Sequence, residues 1–377
     1  MSPSRRLLLV TNDFPPRQGG IQSFLWEITR RLPPEQIAVY ASSYHGSSDF
    51  DAGLSFPVRR HPTGLLIPTP AARSRVLAAQ AEFGATSVWF GAAAPLGLLA
   101  PALRAGGAGR IVATTHGHEV GWAMLPGARR LLRRIADGVD VMTYLGEYTR
   151  TRLARVVGDR ARLERLTPGV DTAAFNPAVS GDAVRQRYRL VGQPVVVCVS
   201  RLVPRKGQDA LIEAWPAVRA QVPDARLLVV GGGRYARRLH ALARNRGLEQ
   251  AVTFTGSVPF AQLPQHFAAG DVFAMPCRTR RLGLDVEGLG MVFLEASATG
   301  LPVIAGDSGG APDAVRSGET GFVVDGRNRQ ELTGRLVQLL REPERARRLG
   351  EHGRRWVERD WQWDTIAARL ADLVGLN

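Results

Sequence analysis

The stretch Val195-Val-Val-Cys-Val-Ser-Arg-Leu-Val-Pro-Arg-Lys-Gly207, continued by Gln208-Asp-Ala-Leu-Ile-Glu-Ala-Trp215, decides the fold. An unbroken apolar run of this length is too continuous for a half-exposed strand and too short for a helix, so it predicts a strand buried on both faces. A loop closed by Gly207 and a helical pattern follow. The same cadence repeats outward from this unit. Downstream, strands are predicted at 226–230, 252–255, 272–275, 302–305 and 321–324; upstream, at 6–10, 37–40, 87–90, 110–114 and 139–144. Strands alternating with helices read as βαβ units and parallel sheets. Residues 167–182, dense in turn formers and without period, are the linker between two doubly wound halves. The last 35 or so residues are helical in pattern, with Trp361, Trp363, Ile366, Leu370 and Leu373 as one apolar stripe.

The chain has 377 residues, enough for two domains at roughly 100–200 residues each. Apolar residues at 45% and charged residues at 22% exclude a disordered chain and a polytopic membrane protein. The N-terminal apolar run stops at Thr11, too early for a signal peptide, and the most lipid-like stretch, 89–103, is broken by glycine and proline and too short to span. Cys198 and Cys277 lie in apolar runs and read as buried reduced thiols, suggesting a cytosolic setting. The net charge of +15 points to anionic partners.

Each half carries a glycine-bearing turn between a strand and a helix. In the first, Thr11-Asn-Asp-Phe-Pro-Pro-Arg-Gln-Gly-Gly-Ile-Gln22 sets Gly19 and Gly20 at the start of a helix through Phe24, Leu25, Ile28 and Leu32. Glycines there let an anion approach the free amides, although a tight structural turn accounts for them equally well. In the second half Arg201 and Lys206 flank the turn, where a guanidinium and an ammonium can clamp a diphosphate. Lys206 is the one lysine among 49 basic residues, which marks a task that an arginine does not perform.

Asp285-Val-Glu-Gly-Leu-Gly-Met-Val-Phe-Leu-Glu-Ala296 sets Glu287 in a glycine-rich turn and Glu295 on the helix it opens. At helical rise the two carboxylates stand about 12 Å apart. That spacing suits an elongated polyhydroxylated ligand, one carboxylate accepting from sugar hydroxyls and the other from a ribose, while amides near Gly288 and Gly290 face phosphate. An acid at a helix start also simply complements the dipole, which would explain Glu287 but not Glu295 among Phe293, Leu294 and Ala296. Thr114-Thr-His-Gly-His-Glu119 brings His116, His118 and Glu119 to a strand's C-terminal edge, where open α/β sheets bind ligands. No further ligands at zinc spacing accompany them, so no metal site is expected. Asp49-Phe-Asp51 reads as a chance triplet in a loop.

Together the Gly19-Gly20 loop, the Arg201 and Lys206 pair in RLVPRKG, the Glu287 and Glu295 element and the histidine after a first-half strand resemble retaining glycosyltransferases of family 4, which have the GT-B fold. The resemblance covers essentially the whole chain. More narrowly, WFGAAAPLGLLAP at 89–101, THGHEVGW at 115–122 and PCRTRRLGLDVEGLG at 276–290 look like the actinobacterial branch that uses GDP-mannose and phosphatidylinositol monomannoside.

The resemblance implies an α/β architecture of two Rossmann-like domains, 1–172 with a C-terminal helix 361–377 crossing back to it, and 173–360, facing across a cleft that closes about the linker. It implies that Gly19 and Gly20 line the diphosphate and acceptor side and that Arg201 and Lys206 hold the diphosphate. Glu295 would bind the ribose, Glu287 the mannose hydroxyls, and the backbone near Val258 the guanine, with Gly288, Gly290, Met291 and Val292 completing the donor site. Asn12, Asp13, His118 and Glu119 would face the acceptor. His116 or His118 would be the active-site histidine, the Thr-His-Gly pattern favouring His116. The chain departs from the family pattern at Tyr144-Leu-Gly-Glu147, usually more serine-like, and at Arg281, usually smaller. No motif supplies a carboxylate for a covalent intermediate, so a front-face reaction is implied, with Arg201 and Lys206 stabilising the leaving diphosphate and no divalent metal required.

Between Arg59 and Arg134 ten arginines face two acids, Glu82 and Glu119. In segment 128–135, Ala128, Leu131, Leu132 and Ile135 share one helical face while Arg129, Arg130, Arg133 and Arg134 share the other. This pattern fits a helix lying on anionic lipid, and equally an ordinary amphipathic helix with a solvated basic face. Arg73 and Arg75 are a second candidate. A peripheral protein on the inner face of the plasma membrane is the expectation. No helix-turn-helix, RNP or zinc pattern supports nucleic-acid binding. A transferase with another glycolipid or a soluble acceptor, and a sugar-nucleotide 2-epimerase, share the donor motifs.

Overall fold

The computed structural model describes residues 5–117 and 119–376, so His118 lies outside the described residues. The chain divides into two compact units, Met1–Gly169 with Trp363–Asn377, and Val170–Gln362. The first is built on seven parallel strands: β1 Leu7–Thr11, β2 Ile37–Ser42, β3 Val58–His61, β4 Ser87–Phe90, β5 Arg110–Ala113, β6 Val141–Tyr144 and β7 Arg162–Arg165, in the order β3-β2-β1-β4-β5-β6-β7. Both faces are covered. Leu8, Val10 and Phe90 point into one core, and Leu7, Leu9 and Trp89 into the other, as the two-residue period of a strand requires.

The second core is closed by the helix Trp363–Val374, which buries Ile366, Leu370 and Val374 against that face. Its last carbonyls are taken by the side chains of Ser87, 2.8 Å from Val374 O, and Arg110, 2.9 Å from Leu373 O. These bonds satisfy acceptors that a helix end leaves open. The C-terminal helix thus belongs to the first unit. The apolar stripe read through Trp361 and Trp363 is not one helix face, however. A helix Pro343–Asp360 ends at Trp361, whose ring is buried in the second unit and whose carbonyl accepts from Val170 N at 2.7 Å. The chain passes between units at Gly169/Val170, inside the turn-rich segment 167–182, and at Gln362/Trp363, each within three residues of the bounds 172/173 and 360/361 that the resemblance implies.

The second unit holds six parallel strands: β8 Val195–Val199, β9 Arg226–Val230, β10 Val252–Gly256, β11 Val272–Met275, β12 Val303–Gly306 and β13 Gly321–Val324, ordered β10-β9-β8-β11-β12-β13. Each sheet reverses its winding once, between β1 and β4 and between β8 and β11. Loops leaving the C-terminal ends of those strands form the crevice where such sheets bind ligands. Strands β3 and β7 are absent from the sequence reading. They are edge strands, VRRH and RLER, whose charged residues guard an open edge and hide the apolar run.

Candidate active site

In the second unit, β8 runs into Arg201, a single 3-10 turn Pro204–Lys206, and the helix Gln208–Gln221. Gly207 sits at φ +80°, and a Cβ there would lie 2.0 Å from the Pro276 carbonyl oxygen, so only glycine fits. This tight junction turns the buried Lys206 inward. Its Nζ lies 2.7 Å from Glu287 Oε2, while Arg205 Nε is 3.8 Å from the same oxygen and Arg205 Nη1 3.5 Å from Asp285. Arg201, by contrast, is exposed and forms no ion pair among the described residues.

Glu287 is 6% exposed. Its turn is held from below: Gly310 N donates to Glu287 O at 2.9 Å, and a Cβ on Gly309 would lie 2.0 Å from that same carbonyl. The helix that follows begins only at Met291, with Gly290 as its N-cap at φ +84° and no capping side chain, so the first-turn amides of Met291 and Val292 stay open to a ligand. Glu287 therefore precedes that helix. The separation from Glu295 is not set by one helical rise. Burial pushes the Glu295 carboxyl up to about 7, a rise that the nearby Lys206 ammonium partly opposes. One ammonium thus serves two carboxylates.

Around this core stand groups that the sequence reading does not single out. Arg278 donates to Asp209 at 2.5 Å, and Tyr235 Oη donates to the same carboxylate at 3.0 Å. Gly231, Gly232 and Gly233 follow β9 where a Cβ would meet, in turn, Ser200 O at 2.1 Å, Ser257 Oγ at 2.3 Å and Leu202 O at 2.4 Å. These glycines bring the loop carrying Val258 close to the β8 loop. The signal in the sequence was the triple glycine after a strand.

In the first unit, Gly19 caps the helix Gly20–Thr29, and a Cβ on Gly20 would meet nothing within 4 Å. Gln22 Nε2 donates to Asp13 Oδ1 at 2.7 Å, bracing the loop. Asn12 is tied to the backbone at Leu66. Its amide donates to Leu66 O at 2.7 Å and accepts from Leu66 N at 2.6 Å, so both polar atoms are engaged. Glu119 is fully buried and accepts from His116 N at 2.9 Å.

His116 Nε2 lies 2.7 Å from Gly91 O. A carbonyl only accepts, so that nitrogen carries a proton and donates. Phe24 meets the ring edge-on at 5.3 Å. Among the described residues no three His, Cys, Asp or Glu side chains are grouped to hold a metal ion. Asp49 and Asp51 lie on the helix Ser47–Ala52 rather than in a loop, and Asp51 is bound by both Nε and Nη2 of Arg60 at 2.8 and 2.7 Å.

Residues 18–174 match the family model Glycosyltransferase Family 4, and residues 182–356 match Glycosyl transferases group 1. A protein of Mycobacterium tuberculosis, GDP-mannose-dependent alpha-(1-6)-phosphatidylinositol monomannoside mannosyltransferase, is 53% identical over 98% of each chain. A protein of Corynebacterium glutamicum, the GDP-mannose-dependent monoacylated alpha-(1-6)-phosphatidylinositol monomannoside mannosyltransferase, is 46% identical over 99% of each. Among solved structures, Anabaena HepE in complex with UDP superposes with a TM-score of 0.79 at 20% identity, covering 98% of this chain and 99% of that one. The likeness in structure speaks for the fold.

Proposed function

Because the chain belongs to glycosyltransferase family 4, we propose that it is the retaining enzyme that moves mannose from GDP-mannose to the inositol of phosphatidylinositol monomannoside, in α-(1,6) linkage, giving the dimannoside. The observation that carries the reading is the cluster on the second unit: Lys206 paired to Glu287, close to Glu295, beneath the open amides of Met291 and Val292. Such a cluster offers a cation for a diphosphate, donors for its oxygens and two carboxylates for hydroxyls.

In this reading GDP-mannose enters with its ribose on Glu295, its guanine along the backbone at Val258, and its diphosphate against Arg201 and the amides following Gly288 and Gly290. Lys206 then shares its charge between Glu287 and the diphosphate, and Glu287 accepts from mannose hydroxyls. As the glycosidic bond breaks, negative charge grows on the leaving phosphate, where Arg201 and Lys206 stabilise it. The departing phosphate takes the proton of the incoming inositol hydroxyl on the same face. Mannose ends bonded to inositol, and GDP leaves carrying the proton that the inositol hydroxyl gave up. On the first unit Gly19, Gly20, Asn12, Asp13 and Glu119 are the acceptor-side groups, with His116 or His118 as the active-site histidine; His116 donates from Nε2 to a carbonyl and therefore does not act as a base through that atom.

Peripheral association with the inner face of the plasma membrane follows from the acceptor. No helix among the described residues is long and apolar enough to cross a membrane. The helix Pro126–Gly138 buries Leu132 and Ile135 and leaves Arg129, Arg130, Arg133 and Arg134 exposed, with Met124 and Leu125 also exposed just ahead of it. This supports contact with anionic lipid, and vesicle flotation that survives replacement of all four arginines would reject it. The test of the whole reading is transfer of radiolabelled mannose from GDP-mannose, beside UDP-glucose, to phosphatidylinositol, to its monomannoside and to a lipid-free control. Label entering only the dimannoside is the expected result. Label released to water without any acceptor would favour an epimerase or hydrolase.

A further inference from the structure

The loop that joins β11 to Glu287 carries a feature that the transfer chemistry leaves unexplained. Arg280 and Asp285 close a short antiparallel bridge, and the residues between them form a finger. At its tip Leu282 is 99% exposed, the highest value among the large apolar side chains described, and Leu284 is 68% exposed. Single exposed apolar residues need no explanation. Here two stand at one tip beside the exposed Arg281, which makes no ion pair among the described residues.

The backbone adds a second observation. Arg281 and Leu282 have φ of +50° and +53°, consecutive left-handed positions that residues with a Cβ disfavour, and Gly283 follows at +94°. The conformation is held by Gly283 N and Leu284 N, which donate to Arg280 O and Arg281 O at 3.1 Å each. A strained turn that holds a leucine entirely in water points to a partner that receives it. The base of the finger is tied to the donor site, since Asp285 and Glu287 share Arg205.

We propose that the finger 280–285 enters the interfacial layer of an anionic lipid bilayer, Leu282 and Leu284 in the acyl boundary and Arg281 on lipid phosphates. Aliphatic side chains interleaved with arginine are the chemistry of that layer. The proposal rests on the lipid-acceptor reading above and adds a membrane contact on the second unit. It would hold Glu287 near the surface from which the acceptor headgroup projects.

Labelling Leu282→Cys with an environment-sensitive fluorophore tests it in the full chain. Cys198 and Cys277 are fully buried, with thiols that burial pushes up to about 12, so the label goes to position 282. Vesicles of phosphatidylinositol and phosphatidylcholine are expected to shift the emission to the blue, while the same label at Glu249→Cys, on the exposed turn after the helix Ala236–Asn245, does not shift. The double variant Leu282→Asp/Leu284→Ser is expected to bind those vesicles about tenfold more weakly or worse, as loss of two buried leucines implies. Its mannose transfer to a short-chain, micelle-free acceptor and its melting temperature should match the parent. No dye shift on those vesicles, or parental vesicle binding by the double variant, overturns the finger. Absence of transfer by the parent itself overturns the transferase reading instead, and the dye arm still decides the finger.

Discussion

The two sheet edges begin from the same device, a strand ending in a glycine-bearing turn, yet they use their polar groups in opposite ways. In the first unit Asn12, His116 and Glu119 are bonded to backbone: Leu66, Gly91 and His116 N respectively. In the second, Lys206, Glu287, Arg205 and Asp285 are bonded chiefly to one another. Backbone bonds fix a wall, since a carbonyl or amide cannot leave its element. Ion pairs between side chains can be exchanged for a ligand of matching charge. The first edge is therefore shaped in advance, and the second is a set of charges that, in the proposed reading, a diphosphate and a sugar take over.

The strongest way to break that contrast is Lys206→Ala. Turnover is expected to fall about 10³-fold, the usual effect of removing a donor to developing negative charge, while donor affinity changes only a few-fold. The variant also leaves Glu287 buried with Arg205 as its remaining partner, so stability drops by about 3 kcal/mol or more. Adding Glu287→Gln should restore the melting temperature but not the turnover. Equal effects on kcat and donor affinity would mean that the lysine merely binds.

Gly207→Ala should cost stability sharply, because both φ and the Pro276 carbonyl forbid a Cβ, whereas Gly20→Ala faces open space and should melt like the parent. Any loss of transfer in Gly20→Ala then reads ligand approach rather than folding. Thermal melts and initial rates on both variants check this.

A smaller effect is expected from pH. If Glu295, whose carboxyl burial pushes up to about 7, accepts from ribose hydroxyls as proposed, GDP affinity should rise about tenfold from pH 6 to pH 8. The folded value lies above the ordinary one of 4.5, so the folded chain holds a proton that the unfolded chain has released between 4.5 and 7. Stability from this group thus declines as pH rises through that window, and Glu295→Gln should remove both dependences. Calorimetry and melts across the range would show it.

At the first edge, Asn12→Ala frees both Leu66 backbone groups and should destabilise by about 1–2 kcal/mol, with a few-fold rise in acceptor KM and little change in donor KM. An unchanged acceptor KM would remove Asn12 from any positioning role.

The second edge was the more legible in sequence, and the contrast explains why. Charged side chains that pair with one another must be charged residue types, so Lys206 and Glu287 stand out, while Arg205 and Asp285, which join the same cluster, do not stand out among so many charged residues. Asn12 and Glu119 serve the backbone, and a residue type does not reveal which backbone atom it will meet. Gly309 and Gly310 were hidden for a related reason, since their role is the close approach to Glu287 O from a loop some twenty residues away. The central strands announced themselves through buried Val and Leu runs. Trp361 and Trp363 share a sequence spacing but enter different cores, because the bond from Val170 N to Trp361 O ends one helix before the next begins.

The most direct measurement is the binding of GDP and of GDP-mannose to the parent and to Glu287→Gln by calorimetry. If Glu287 holds mannose while Lys206 is shared with the diphosphate, the variant binds GDP as well as the parent or better, since its lysine is freed. Its ratio of GDP-mannose to GDP dissociation constants then rises about tenfold, the effect of one lost charged hydrogen bond. Equal weakening for both ligands, with the ratio unchanged, would contradict the assignment of this carboxylate to the sugar and of the ion pair to the donor site.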